Sequence, residues 1–362
     1  MASPIRDLDK WILSAVFTVA PKKSQDLVLL LKQKNVEFKY VDDGGFVFQA
    51  ASTATDGIIE ASVPSLELLW CAAYCYWEMY QLIGSVQRRG DRIWTADEQA
   101  RRAQIEEMYS WALTNVWQET EEKWPLGLPT PQGSSPFGSV IHVATELFLV
   151  ALGWILHHEV GHIVHGHSMQ KHRSKREQEL EADQAANTWL FEGSQNLAIR
   201  QKLALGVVTA LSMLSTRRQP GRDAAADDPH PHPLERLVRA LEACRLPDDH
   251  AAYAYAISAM QMNMILTYYT YISLSDVPFR ECFEALCLVI RTHQSNEHWD
   301  VISTTDLQQY WARQFAPLSD EEIRPLAYSY WEQRGGCPFD SPEEDWYRAE
   351  QLLRERKIHP KT

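Results

Sequence analysis

This sequence predicts a mainly α chain carrying one small β-hairpin or sheet, an α+β protein. Apolar residues recur at helical spacing over most of the 362 residues. The period changes to strand-like alternation in one region, residues 37–62. Clusters of Pro and Gly separate the helical stretches rather than interrupting them. At roughly 150 residues per domain, the length suits two domains or one large one with a substantial core.

In chain order, residues 5–20 set Ile5, Leu8, Trp11, Ile12, Ala15, Val16 and Val19 on one stripe, which predicts a first helix. A short helix follows at 23–34. Glu37-Phe-Lys-Tyr-Val41 and Phe46-Val-Phe-Gln-Ala50 flank Asp42-Asp43-Gly44-Gly45 and predict a hairpin, to which Gly57-Ile-Ile-Glu-Ala-Ser62 adds a third strand. Pro64 opens a long aromatic-rich helix to about Ile83, and another covers 96–117. Pro125, Gly127, Pro129, Pro131, Gly133 and Pro136 make 118–138 irregular. Helices at about 139–167, 174–193 and 196–216 come next. The polar, proline-studded stretch 217–233 predicts a loop, and helices near 249–272, 279–293, 319–334 and 342–356 complete the chain. This suggests an N-terminal region, 1–138, a central core, 139–245, and a helical C-terminal region, 246–362.

Composition narrows the function. Lys and Arg total 35 against 48 Asp and Glu, a net charge of −13. So acidic a chain is a poor binder of nucleic acid or anionic lipid. Cys71, Cys75, Cys244, Cys282, Cys287 and Cys337 contain no C-x-x-C pair, so they read as small buried hydrophobes in a reducing compartment. Met1-Ala-Ser-Pro-Ile-Arg6 lacks the basic and apolar segments of a secretory signal. The longest apolar run, 140–156, carries His142 and Glu146 and leads into His157-His158-Glu159, which fits a buried core helix better than a membrane span. The expected location is cytoplasmic.

His158-Glu159-Val160-Gly161-His162 is an H-E-x-x-H sequence inside a predicted helix. Residues four apart differ by about 40° around a helix and about 6 Å along it, so both imidazoles reach one ion. Zn²⁺ accepts such nitrogens, and it lowers the pKa of water towards about 7. Glu159 sits about 100° around from His158, placed to take a proton from that water. A third protein ligand is required. The metzincin pattern would place it at Ser168, which excludes that class. His165 lies about 10 Å along the axis from His158, too far for the same ion. His167 falls on the opposite face of a continued helix, which suits a structural role or a place behind the ligands. The next helix offers two acidic pairs, Glu179 with Asp183 and Glu177 with Glu181, and spacing alone does not choose between them.

His158-Glu-Val-Gly-His-Ile-Val-His-Gly-His-Ser168 followed by Glu179-Leu-Glu-Ala-Asp183 resembles the gluzincin-type metallopeptidases of the HtpX and CAAX-prenyl-protease group and the Lit-type phage-exclusion peptidases. The resemblance covers about residues 140–240 and implies a gluzincin-like zinc peptidase core with helical N- and C-terminal extensions. It implies Zn²⁺ held by His158, His162 and Glu179, with Asp183 orienting a ligand histidine. A later His-Pro…Arg element is similar to His230-Pro-His-Pro-Leu-Glu-Arg236 and implies that His230 or Arg236 stabilises the oxyanion; His232 also precedes a Pro. The chain lacks the clear membrane spans of some of these enzymes. A soluble endopeptidase acting on an intracellular protein, in regulated defence or stress response and under a regulatory partner or activator, is therefore expected. The rival reading is a non-catalytic helical interaction protein with a structural or degenerate zinc site. Glu159 separates the two, because a closed structural site has no use for a carboxylate beside the metal.

Overall fold

The computed structural model describes residues 3–41, 45–53, 55–89, 94–117, 123–170, 172–192, 196–216, 231–268, 279–294 and 320–333, with Ala349 and Leu353. The chain forms two compact units, Met1–Tyr269 with Val277–Phe283 and Thr270–Asp276 with Glu284–Thr362.

The first unit opens differently from the continuous helix expected at 5–20. A 3-10 turn, Pro4–Leu8, is followed by single α-turns at Asp9–Ile12 and Ala15–Thr18. Leu8, at φ −100° and ψ 2°, breaks the run first, and Ser14 breaks it again by bonding its hydroxyl to the Trp11 carbonyl. Ile5, Leu8, Ile12 and Ala15 are still buried, but Trp11 is turned out to 41% exposure. Helix α1 is Ser24–Gln33.

Strands β1 (Val36–Val41), β2 (Phe48–Ser52) and β3 (Gly57–Ser62) form one sheet in the order β1-β3-β2. β1 runs parallel to β3, and β2 runs antiparallel to it. The hairpin expected between the first two strands is therefore replaced by one between the second and third. Its tight turn is closed by the Thr53 N–H donating to the Asp56 carbonyl at 2.8 Å. β3 is the most buried of the three, with Ile59 and Ala61 in the core, and burial places it at the centre. The Asp-Gly signal marked a change of direction but not which strands pair. Residues 42–44 of that signal lie outside the described residues.

Helices α2 (Val63–Arg89), α3 (Ala96–Trp117), α4 (Val140–His165), α5 (Lys175–Phe191), α6 (Leu197–Ser215), α7 (Pro233–Cys244) and α8 (Ala251–Tyr268) build the body of the unit. α4 is the hub, packed by α2, α5, α6, β2, β3 and the Ala15–Thr18 turn. Its ends are set locally. The Ser139 hydroxyl accepts from the His142 N–H, and Gly166 stops the helix in the left-handed conformation, φ 64°. α5 starts with a capping box between Ser174 and Glu177. Of these helices, α4 and α6 are long and apolar enough to cross a membrane, yet both are mostly buried inside the unit. The five described cysteines are buried thiols outside any disulfide, as expected; Cys337 lies outside the described residues. α9 (Phe279–Gln294) begins in this unit, where Phe283 packs on Tyr253.

In the second unit, α10 (Asp320–Gln333) places Ile323 and Ala327 against Ala349, with Leu326, Tyr330 and Leu353 around them. Most of the helix expected at 342–356 and of the loop expected at 217–233 falls outside the described residues.

His157 ties the N-terminal turns to α4. Its Nε2 lies 2.9 Å from the Val16 carbonyl, and its ring stacks on Trp189. Burial pushes its pKa from 6.5 to about 4, against the pull of the Val16 carbonyl. The unfolded chain therefore takes up a proton first as pH falls, so stability is lost from pH 6.5 down towards pH 4. Between pH 8 and pH 5 this group is expected to remove about 2 kcal/mol. Urea titrations of wild type and His157→Phe at both pH values check this. An equal pH dependence in the two proteins contradicts it.

Candidate metal centre

Two helices meet at the H-E-x-x-H segment because one position on α4 has no side chain. A Cβ at Gly161 would lie 3.1 Å from the Cα and 3.3 Å from the carbonyl oxygen of Ala182 on α5. That close approach brings Glu179 of α5 alongside His158 and His162. Glu179 Oε2 lies 3.4 Å from His158 Nε2, and its Oε1 lies 3.4 Å from His162 Nε2. The two Nε2 atoms are 3.1 Å apart. Among the described residues these three side chains form a set whose ligand atoms all lie within 4.8 Å of one another.

The hydrogen-bond partners behind the ligand atoms show what such a set can hold. His158 Nδ1 lies 2.8 Å from Asp183 Oδ1. A carboxylate only accepts, so the proton of a neutral His158 sits on Nδ1 and its Nε2 presents a lone pair. Asp183 is itself gripped by Arg236, whose NH2 and Nε donate to Oδ1 and Oδ2 at 2.7 and 2.8 Å. Burial would raise the Asp183 carboxyl, but Arg236 and His158 outweigh it and hold it below the usual carboxylate range. Trp154 stacks on the His158 ring and donates its Nε1–H to Asn187 at 2.9 Å, so the imidazole is held from its face as well. Two imidazole Nε2 atoms and a carboxylate thus converge on one point and offer nitrogen and oxygen donors to a cation. The donor chemistry therefore fits a divalent metal of the zinc type.

Without such an ion, a proton takes its place. Burial disfavours charge on His158, but Asp183 and Glu179 prevail and push it up to about 10. Burial and then the neighbouring His158 push His162 down to about 3.

Glu159 is buried beside this group, and its carboxylate accepts a hydrogen bond from the Ala50 backbone N–H of β2. Burial raises its pKa above the usual range. Thr53 directs its N–H into the sheet, so by antiparallel alternation Ala51 and Gln49 do the same, and Ala50 faces outward along the sheet edge.

The other histidines and acids sort out by position. Glu177 is spent on the α5 cap, and Glu181 faces away from the Nε2 atoms towards His167, 3.0 Å from its Nε2. His165 is the last residue of α4, with its Nδ1 3.7 Å from Glu181. His167 is not on the opposite face. The helix ends before it, and the Gly166 turn folds its ring back to place Nδ1 2.8 Å from His162 Nδ1. Extending the helix to 167 hid this contact, which Gly166 signals as a helix stop. His232 caps α7, its Nδ1 accepting from the Leu234 N–H. His230 lies outside the described residues. Arg236 is buried with two of its donors on Asp183. Ala50 carried no sequence signal, because backbone geometry alone brings it to Glu159.

A family model described as Peptidase U49 matches residues 59–256, which span every side chain of this centre. A second, described as a protein of unknown function, DUF2934, matches residues 319–355. The cell death peptidase of Escherichia coli strain K12 is 31% identical over 217 residues, covering 58% of this chain and 72% of that protein. No solved structure matches this chain.

Proposed function

This chain belongs to the peptidase U49 family and is a protease, and on that premise we propose that it is a zinc-dependent endopeptidase in which His158, His162 and Glu179 hold the ion. The convergence of both Nε2 atoms and the Glu179 carboxylate on one point, with Glu159 buried alongside, carries the reading. A bound zinc supplies Lewis-acid polarisation of the scissile carbonyl and acidifies water. Glu159 takes the proton of the attacking water and returns it to the leaving nitrogen. Asp183, fixed by Arg236, keeps the His158 proton on Nδ1. Arg236 acts by positioning Asp183, and the oxyanion role stays with His230.

An extended substrate gains main-chain hydrogen bonds at a sheet edge. β3 is central and supplies no edge. β2 is an edge strand packed on α4, and a peptide laid along it passes Glu159. The substrate class is protein, without nucleic acid. The matched relative is named a cell death peptidase; for this chain we propose a cytoplasmic enzyme of defence or stress response that a partner restrains or activates. The rival structural site needs a fourth protein ligand, and among the described residues the donor set has three.

The test compares protein N-termini in cells expressing wild type and Glu159→Gln. New termini are expected with wild type alone. Identical sets of termini, with wild type shown to be metal-loaded, overturn the reading.

A further inference from the structure

Each ligand histidine has a nitrogen that does not face the ligand point, and the two are anchored differently. His158 Nδ1 meets a carboxylate directly, Asp183 at 2.8 Å. Among the described residues, His162 Nδ1 meets no carboxylate. It meets His167 Nδ1 at 2.8 Å; His167 Nε2 lies 3.0 Å from Glu181 Oε2; and Arg173 donates to that same oxygen at 2.6 Å. The His167 side chain is 3% exposed, so its ring is shielded from water.

We infer that His167 and Glu181 form a two-step relay that sets the tautomer of His162 and so turns its Nε2 lone pair to the ligand point. The inference rests on the zinc-peptidase reading above. Its logic is one of donors and acceptors. Glu181, paired with Arg173, is a carboxylate and accepts only. His167 therefore donates through Nε2–H, and its Nδ1 carries a lone pair. That lone pair accepts the proton of His162 Nδ1. Nε2 of His162, with no proton left to carry, faces His158 and Glu179 as an acceptor or metal ligand. The opposite sense would aim an N–H from His162 at His158 Nε2, 3.1 Å away. Arg173 already balances the charge of Glu181, so nothing requires His167 to be cationic.

The relay is longer on this side for a reason in the fold. Glu181 lies two residues beyond Glu179, on a face of α5 rotated by about 200°. It does not reach His162, and the Gly166 turn inserts an imidazole into the gap. The two anchors end alike, each in an arginine-bound carboxylate: Asp183 with Arg236, and Glu181 with Arg173. His167 and Glu181 are thus positioning residues, acting on the metal through His162.

Three full-length proteins test this: wild type, His167→Leu and His167→Gln. Glutamine carries both an acceptor oxygen and a donor NH2, so it restores both links, whereas leucine restores neither. Zinc chloride affinity, read by competition with a chromophoric chelator, is expected to fall about 10–100-fold in His167→Leu and to recover most of that loss in His167→Gln. Imidazole ¹⁵N spectra of zinc-loaded wild type are expected to show His167 protonated at Nε2 and His162 at Nδ1. Unchanged affinity in a folded His167→Leu overturns the relay while leaving the metal reading intact. So does a wild-type spectrum with the His167 proton on Nδ1, which needs no variant to fold. Wild type that binds no zinc overturns the metal reading itself, and the relay with it.

Discussion

Glu159→Gln is expected to abolish cleavage while leaving the protein folded and loaded with zinc. The side chain keeps its shape, and an amide oxygen still accepts the hydrogen bond from the Ala50 N–H. What disappears is the ability to take a proton from water. General bases contribute about 10²–10⁴ in rate, or roughly 3–5 kcal/mol of barrier. Glu159 is not among the three converging ligands, so zinc content by elemental analysis should equal that of wild type. Thermal stability should hold or rise, since an ionised carboxylate is costly to bury and an amide less so. A folded, zinc-loaded variant that cleaves at the wild-type rate removes Glu159 from the chemistry. Such a result would also restore the structural-site reading that its presence argues against.

The second large effect concerns Glu179. Glu179→Ala removes one of three ligands, and zinc affinity should fall by more than the roughly 10–100-fold typical of partners behind the ligands. Wild type should gain stability on adding zinc, about 2.7 kcal/mol at a hundredfold excess over its dissociation constant. The variant should gain little at the same concentration. A chelator should lower the melting temperature of wild type to its metal-free value and leave the variant where it was. Glu177→Ala is the informative control. Glu177 closes the capping box of α5 and lies on the other acidic pair, so its loss should cost about 1 kcal/mol of stability with zinc affinity unchanged. If the control loses zinc and Glu179→Ala keeps it, the ligand role passes to the other pair.

The distinction between these two acids shows how far sequence reading reaches here. Both pairs on α5 have the same four-residue spacing, and nothing within the helix prefers one. The choice is made by the rotation of α5 about its axis as it packs on α4. That rotation depends on the contact of Gly161 with Ala182. The resemblance to known peptidases pointed to Glu179 and Asp183, and the geometry shows the contact that selects their face. Arg236 was legible as a residue of interest, but its partner was not. The carboxylate it grips is 53 residues away along the chain.

The elements themselves were mostly readable. The long helices follow from apolar periodicity and from caps such as Ser139, Ser174 and Asn196, all short-range effects. Misreadings arose where two local signals competed. The stripe at 5–20 outweighed the backbone bond offered by Ser14, and the Asp-Gly pair at 43–44 outweighed the burial pattern of β3. At His167 the helical period no longer applies, because Gly166 ends the helix before it.

From its sequence alone this protein is a mainly α chain with one short sheet and a helix that offers two imidazoles and a carboxylate to a common point. Those properties depend on spacings of four residues or fewer and on the pitch of the α-helix. The tertiary structure decided which acid joins the histidines, which arginine steadies them and which strand reaches Glu159. Each of those choices is made by packing between segments distant in the chain, whose relative rotation no local spacing determines.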